Sequence, residues 1–283
     1  MTQATPDLFR IRDHVADFEA FVAEYRRRSQ ATLARRQPRH RVAYGPHPDE
    51  RLDLYVPVLA GGTAPLPLHM FIHGGYWRAY SKDDYCFVAD AITAAGAIAA
   101  IVDYSLMPRA RMATLVDQVR RAMGWLAHNA ASFGGAAEAL SVSGHSAGGH
   151  LAAMVCGLGQ SYRVRSALCL SGLYDLAPLT QSFLQSEVQF TPEEVASFSP
   201  LNAAFEPAIA YDICVGADET RPFHIQADAF AEHLRRGGAS AERSALAGEN
   251  HMSVVLSLGT PGTPAATKLA DCIARSHTLT GAN

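Results

Sequence analysis

Apolar residues recur every three or four positions across residues 7–36. Leu8, Ile11, Val15, Phe18, Phe21, Val22 and Tyr25 fall on one stripe and no proline interrupts them, so the spacing predicts an amphipathic helix there. Residues 41–44 and 51–56 alternate apolar with polar, and Gly45-Pro46-His47-Pro48 separates them, which predicts two half-buried strands joined by a turn. Residues 66–73 and 97–104 are continuous apolar runs of strand length, as expected of strands covered on both faces in a parallel sheet. Residues 83–95 and 114–133 read as helices, 140–143 as a strand, 149–158 as a helix and 167–171 as a strand. The rhythm stops over residues 176–207, where Gln, Ser, Glu and Pro mix with Phe183, Phe190 and Phe198. It resumes with a strand at 209–215, a helix at 223–236, a strand at 241–246 and a closing helix at 263–275. Alternating strand and helix units of this kind predict an α/β fold with a mainly parallel central sheet and helices on both faces.

The composition agrees with that architecture and narrows the function classes. Of 283 residues, 48% are hydrophobic and 18% charged, which is enough for one large buried core and argues against disorder. One domain spanning 1–283 is expected, with 1–37 as an N-terminal helical element and 176–207 as a lid-like insertion; Gly61-Gly62 reads as a hairpin-like loop, not a linker. The formal net charge is -3, so nothing suggests nucleic acid or an anionic membrane as partner. The run Arg26-Arg27-Arg28, with Arg35 and Arg36, reads as a solvated helix face. Cys86, Cys156, Cys169, Cys214 and Cys272 are odd in number and show no C-x-x-C spacing, which favours free thiols in a reducing compartment. No apolar segment resembling a secretory signal follows Met1, and the longest apolar stretch, 94–102, is too short to span a bilayer. A cytoplasmic protein is expected.

The candidate chemistry centres on Gly144-His145-Ser146-Ala147-Gly148. A G-x-S-x-G pattern between a strand and a helix describes a sharp turn that exposes the serine hydroxyl, with glycines allowing the tight bend. Ser146 is therefore the candidate nucleophile for acyl transfer. Such a turn requires three partners: an upstream loop of backbone N–H donors, an acid after a later strand, and a histidine last in the chain. His73-Gly74-Gly75-Tyr76-Trp77 follows the apolar strand directly, and its glycines permit close approach to a substrate oxygen. The N–H groups of Gly75, Tyr76 and Ala147 are the expected oxyanion hole, with Gly74 supplying the bend and His73 bonding the loop backbone.

Asp218 stands just past the strand ending at Val215, at the edge where ligand-facing residues of parallel sheets collect. It is the expected acid, with Glu219 directed elsewhere, Asp175 as competitor and Asp212 at the opposite edge. His251, on a loop after the strand 241–246, is the expected general base. His145 and His150 are expected to be structural, their side chains directed away from the serine; His224 and His233 are ordinary surface or packing residues, and His277 lies near the end of the sequence. Twelve histidines show no metal-ligand spacing, and neither G-x-G-x-x-G nor a P-loop is present, so no metal and no cofactor are expected. Gly74, Trp77, Phe183 and Phe190 are the candidate substrate-binding residues. The expected partner is a small-molecule substrate, neither nucleic acid nor membrane, with a homodimer left open.

These motifs resemble the α/β-hydrolase superfamily. More closely, they are similar to its kynurenine formamidase (arylformamidase) branch, near the hormone-sensitive-lipase-like esterases. The likeness rests on His73 to Trp77, Gly144 to His150, Asp218 and His251, and on Asp103-Tyr104 followed by Leu106 and Pro108. Ser105 stands where those esterases usually carry Arg. The resemblance spans about residues 40–275 and implies a serine hydrolase with an N-terminal helix helping to cap the site. Three functions follow: an amide hydrolase of formamidase type, a carboxylesterase for short acyl chains, and a non-catalytic binding protein on a hydrolase scaffold. The last would normally lack a triad member.

Overall fold

The computed structural model describes residues 6–38, 40–58 and 64–278; the turn expected at Gly61-Gly62 lies outside them. Eight strands form one sheet: β1 (His40–Ala43), β2 (Arg51–Tyr55), β3 (Leu66–Ile72), β4 (Ile98–Val102), β5 (Gly135–His145), β6 (Val164–Leu170), β7 (Ala210–Gly216) and β8 (Ser240–Leu246). Their order across the sheet is β1-β2-β4-β3-β5-β6-β7-β8. The β1–β2 and β2–β4 pairs are antiparallel, and every later pair is parallel. The continuous apolar runs become β3 and β4, whose residues from Leu68 and Ile98 onward are buried. Helices cover the sheet in two groups: Pro264–Thr278 packs with Val88–Ala94, and Met112–Asn129 packs with Ala147–Val155. All five cysteines are free and buried among these layers. No helix among the described residues is long and apolar enough to cross a membrane.

Two elements depart from the sequence expectation. The first helix spans Phe18–Arg35 and does not begin at residue 7. Before it, Asp7 turns the chain by accepting the Phe9 N–H at 3.0 Å, and a short 3-10 turn occupies Ile11–Asp13. The apolar spacing of Leu8, Ile11 and Val15 thus belongs to a separate segment, of which Phe9, Ile11 and Val15 enter the core. Residues 176–207 are also more ordered than their mixed composition suggests. They include helices at Gln185–Val188 and Pro192–Phe198, the second started by a capping box between Thr191 and Glu194. Arg111 ties this insertion to the body, donating to the Glu194 carboxylate and to the carbonyls of Val188 and Gln189 at 3.1 and 2.7 Å.

Candidate active site

β5 delivers Ser146 at its C-terminal end, in the turn before the helix Ala147–Val155. Ser146 has φ 57° and ψ -119°, a region costly for a residue with a side chain and found where surrounding structure enforces it. The enforcement is steric and hydrogen-bonded. A Cβ on Gly144 would overlap the Gly148 carbonyl, and one on Gly148 would overlap the Ile72 carbonyl of β3. The Ser146 N–H bonds Leu170 O at 2.8 Å, and Ser146 O accepts from His150 N–H at 3.1 Å. The G-x-S-x-G spacing therefore reflects a turn pressed between two strand ends.

The loop after β3 lies against this turn. A Cβ on Gly74 would meet His145 O at 2.9 Å and the Ser146 Cβ at 3.3 Å. Gly75, Tyr76 and Trp77 all have positive φ, at 111°, 49° and 58°. The loop holds this shape through Arg78 N–H and Ala79 N–H to Gly75 O, at 3.0 and 3.1 Å, and Met107 N–H to Trp77 O at 2.8 Å. Among the described residues the N–H groups of Gly75 and Tyr76 donate to nothing, and the first helical residue, Ala147, has no intrahelical acceptor. His73 behaves as expected of a loop brace: its Nδ1 lies 2.8 Å from Gly74 O, and its ring stacks on Tyr104 at 4.4 Å.

The carboxylate at His251 is Glu219. His251 Nδ1 lies 2.7 Å from Glu219 Oε2, and both groups are buried. Glu219 Oε1 accepts from Gly216 N–H at 2.7 Å and from the Ser171 hydroxyl. A carboxylate only accepts, so Nδ1 carries the proton and Nε2 keeps its lone pair. Asp218 is exposed and reaches none of these groups through its side chain; its main chain instead donates to Glu249 O at 2.9 Å. The expectation of Asp218 as the acid is thus corrected. The turn after β7, closed by Glu219 N–H to Gly216 O at 3.2 Å, sends residue 218 outward and residue 219 inward. Asp175 is used locally, accepting from Ala177 N–H at 3.0 Å. Asp212 lies within β7, paired with Arg275 and Lys268.

His145, expected to be structural, faces His251. Its Nε2 lies 2.9 Å from His251 O, and the two ring centroids are 4.9 Å apart. Strand alternation alone places residue 145 on one side of β5; the tight turn that follows brings the His251 loop over it.

Trp77, expected to touch substrate, is turned into the core, and Phe190 packs against it. Trp77 is 0% exposed; its Nε1 donates to His150 Nδ1 at 3.1 Å, and its ring packs edge-on to Phe190 at 5.7 Å. His150 Nε2 in turn donates to Phe198 O at 2.7 Å, so this chain of contacts fastens the loop to the insertion. Phe183 is half-buried, edge-on to Tyr76 at 5.6 Å and covered by Arg10 at 4.5 Å. The N-terminal segment closes over the same place. Asp7 accepts from Phe183 N–H at 2.6 Å, Thr220 Oγ1 donates to Leu8 O at 2.7 Å, and the Tyr76 hydroxyl donates to Phe9 O. Phe9 packs on Phe223, which lies 4.5 Å from the His251 ring. Ser146 and His251 are consequently only 3% and 4% exposed. The sequence carried no signal for Phe9 or Phe223, whose role depends on this long-range fold-back.

Burial also sets the charge state of the supporting histidines. It pushes His69 down to about 3, and His73 and His150 to about 4, from 6.5. The unfolded chain would protonate these rings near 6.5 while the fold keeps them neutral, so the stability they contribute is complete above that pH. It is lost as pH falls toward 4. Asp103, raised to about 6 by burial, opposes this because it gains its proton in the fold first. Three histidines outweigh one carboxylate, and melting temperature is expected to fall between about pH 7 and about pH 5. Thermal melts across that range test it; an unchanged or rising melting temperature would contradict it.

No group of metal-ligating side chains occurs among the described residues. A family model described as BD-FAE matches residues 52–194, about half of the chain. The chain is 29% identical to a kynurenine formamidase of Danio rerio over 224 residues, covering 76% of this chain and 74% of that one. It is 33% identical to a kynurenine formamidase of Salmo salar over 164 residues, 56% of this chain and 54% of that one. Its fold is similar to that of the Pyrobaculum calidifontis esterase, with a TM-score of 0.73 and 19% identity over 98% of this chain and 99% of that one. The chain belongs to the BD-FAE family and is an α/β-hydrolase.

Proposed function

We propose that the protein is a serine hydrolase acting through an acyl-enzyme on a small amide or ester, with formamides as the preferred class. The observation that carries this reading is the buried His251–Glu219 hydrogen bond of 2.7 Å, next to a strained serine turn. In the proposed cycle His251 Nε2 takes the Ser146 proton as Ser146 Oγ attacks the substrate carbonyl. Glu219 holds the imidazole in the Nδ1–H form and stabilises the imidazolium without taking its proton. The developing oxyanion meets the N–H groups of Gly75, Tyr76 and Ala147, donors already fixed by the loop and helix start. His251 then protonates the leaving amine or alcohol, and water returns along the same path to release the acid.

The likeness to kynurenine formamidases supports an aromatic formamide, and the rings of Phe9, Tyr76, Phe183 and Phe223 around the site suit a planar leaving group. The N-terminal segment and residues 176–207 act together as the cap over it. The test is kcat/KM for N-formylkynurenine against p-nitrophenyl acetate and butyrate. Preference for the formamide is expected; a ratio strongly favouring the esters would establish a short-chain carboxylesterase instead.

A further inference from the structure

We propose that His145 is a positioning residue for His251, setting the reach of the general base through its backbone; this rests on the serine-hydrolase reading above. His251 sits on a loop, and a loop residue needs fixing at two points before its ring has a defined direction. Glu219 fixes the ring at Nδ1. The second point is the main chain: His251 O accepts from His145 Nε2 at 2.9 Å. A carbonyl cannot donate, so His145 Nε2 carries the proton and Nδ1 is a bare lone pair.

That Nδ1 is buried and has no partner among the described residues. It faces the oxyanion loop, where a Cβ on Gly74 would stand 3.1 Å away. The ring thus spans from the Gly74 loop to the His251 loop, on the residue immediately before Ser146. Burial among apolar and aromatic groups, Tyr85 included at 6.4 Å, keeps this ring neutral at ordinary pH and holds its pKa well below 6.5. A neutral ring can brace His251 without opposing the positive charge His251 gains during the reaction. The other anchors of the loop grip its neighbours: Tyr25 OH donates to Met252 O at 2.6 Å, and Asn250 Oδ1 accepts from Met252 and Ser253 N–H. Among the described residues, only His145 holds the carbonyl of residue 251.

The test compares His145→Gln with His145→Leu on p-nitrophenyl acetate. The glutamine Nε2 can reproduce the donor; leucine fills similar space and cannot. The leucine variant is expected to lose about 10- to 100-fold in kcat, the scale of a misplacement of about 1 Å or less. Its KM should stay within about threefold, since ground-state binding is not altered. The glutamine variant is expected to recover most of the loss. Should the leucine variant not fold, His145→Asn, whose amide stops short of the carbonyl, makes the same comparison. Wild-type kcat in the leucine or asparagine variant, or equal loss in all variants, would overturn the proposal. Fluorophosphonate labelling of the wild type separates the two layers: label at Ser146 with no loss in these variants defeats only the brace. Absence of label at Ser146 defeats the hydrolase reading beneath it.

Discussion

Ser146→Ala is expected to lower kcat by about a million-fold, the scale seen when the nucleophile of a serine hydrolase is removed. Losing the hydroxyl removes the covalent route entirely. The N–H groups of Gly75, Tyr76 and Ala147 would remain, so a small residual rate over water is expected from oxyanion stabilisation alone. Folding should survive, because Ser146 contributes its main chain to the turn, through the Leu170 and His150 bonds. Steady-state kinetics with a melting curve of the variant check both parts. Near-wild-type turnover in a folded Ser146→Ala protein would remove Ser146 from the chemistry.

Glu219→Gln is expected to cost about 10,000-fold in kcat, by analogy with amide replacement of the acid in serine proteases. The amide would offer His251 Nδ1 either an N–H or a weaker carbonyl acceptor, and would no longer balance the imidazolium charge. It would also disturb the two donors now served by Oε1, from Ser171 and Gly216. Asp218→Asn, one residue away, is expected to stay within about twofold, as an exposed surface change. The pair is informative because the two acids are adjacent and only Glu219 bonds His251; a melting curve of each variant separates lost stability from lost chemistry.

Most of the fold was legible because the apolar periodicity changes character where the structure does. The runs at Met70 to Ile72 and Ala99 to Val102 read as doubly covered strands, and they are the sheet centre. The Ser146 turn, the His73 to Trp77 loop and the His251 loop could be placed because each follows a strand end. What escaped was decided by geometry on a scale finer than strand and helix. Asp218 and Glu219 are both acids past β7, and only the tight turn closing on Gly216 determines which faces inward. Trp77 looked like a substrate contact because it neighbours Tyr76, yet a positive φ swings it into the core against His150. The fold-back of Phe9 onto Phe223 and of Asp7 onto Phe183 joins residues more than a hundred positions apart. A stripe of apolar residues at 8, 11 and 15 resembles the start of a helix until Asp7 is seen to turn the chain.

In the proposed cycle Ser146, His251 and Glu219 act as one unit, and covalent labelling of the serine reads that unit out. Wild type, Glu219→Gln and Asp218→Asn would be treated with a fluorophosphonate, the rate followed by intact mass and the adduct located by peptide mapping. A single adduct on Ser146 is expected, formed at nearly the wild-type rate in Asp218→Asn and far more slowly in Glu219→Gln. An adduct on another residue, or slow labelling that follows Asp218 and spares Glu219, would contradict it.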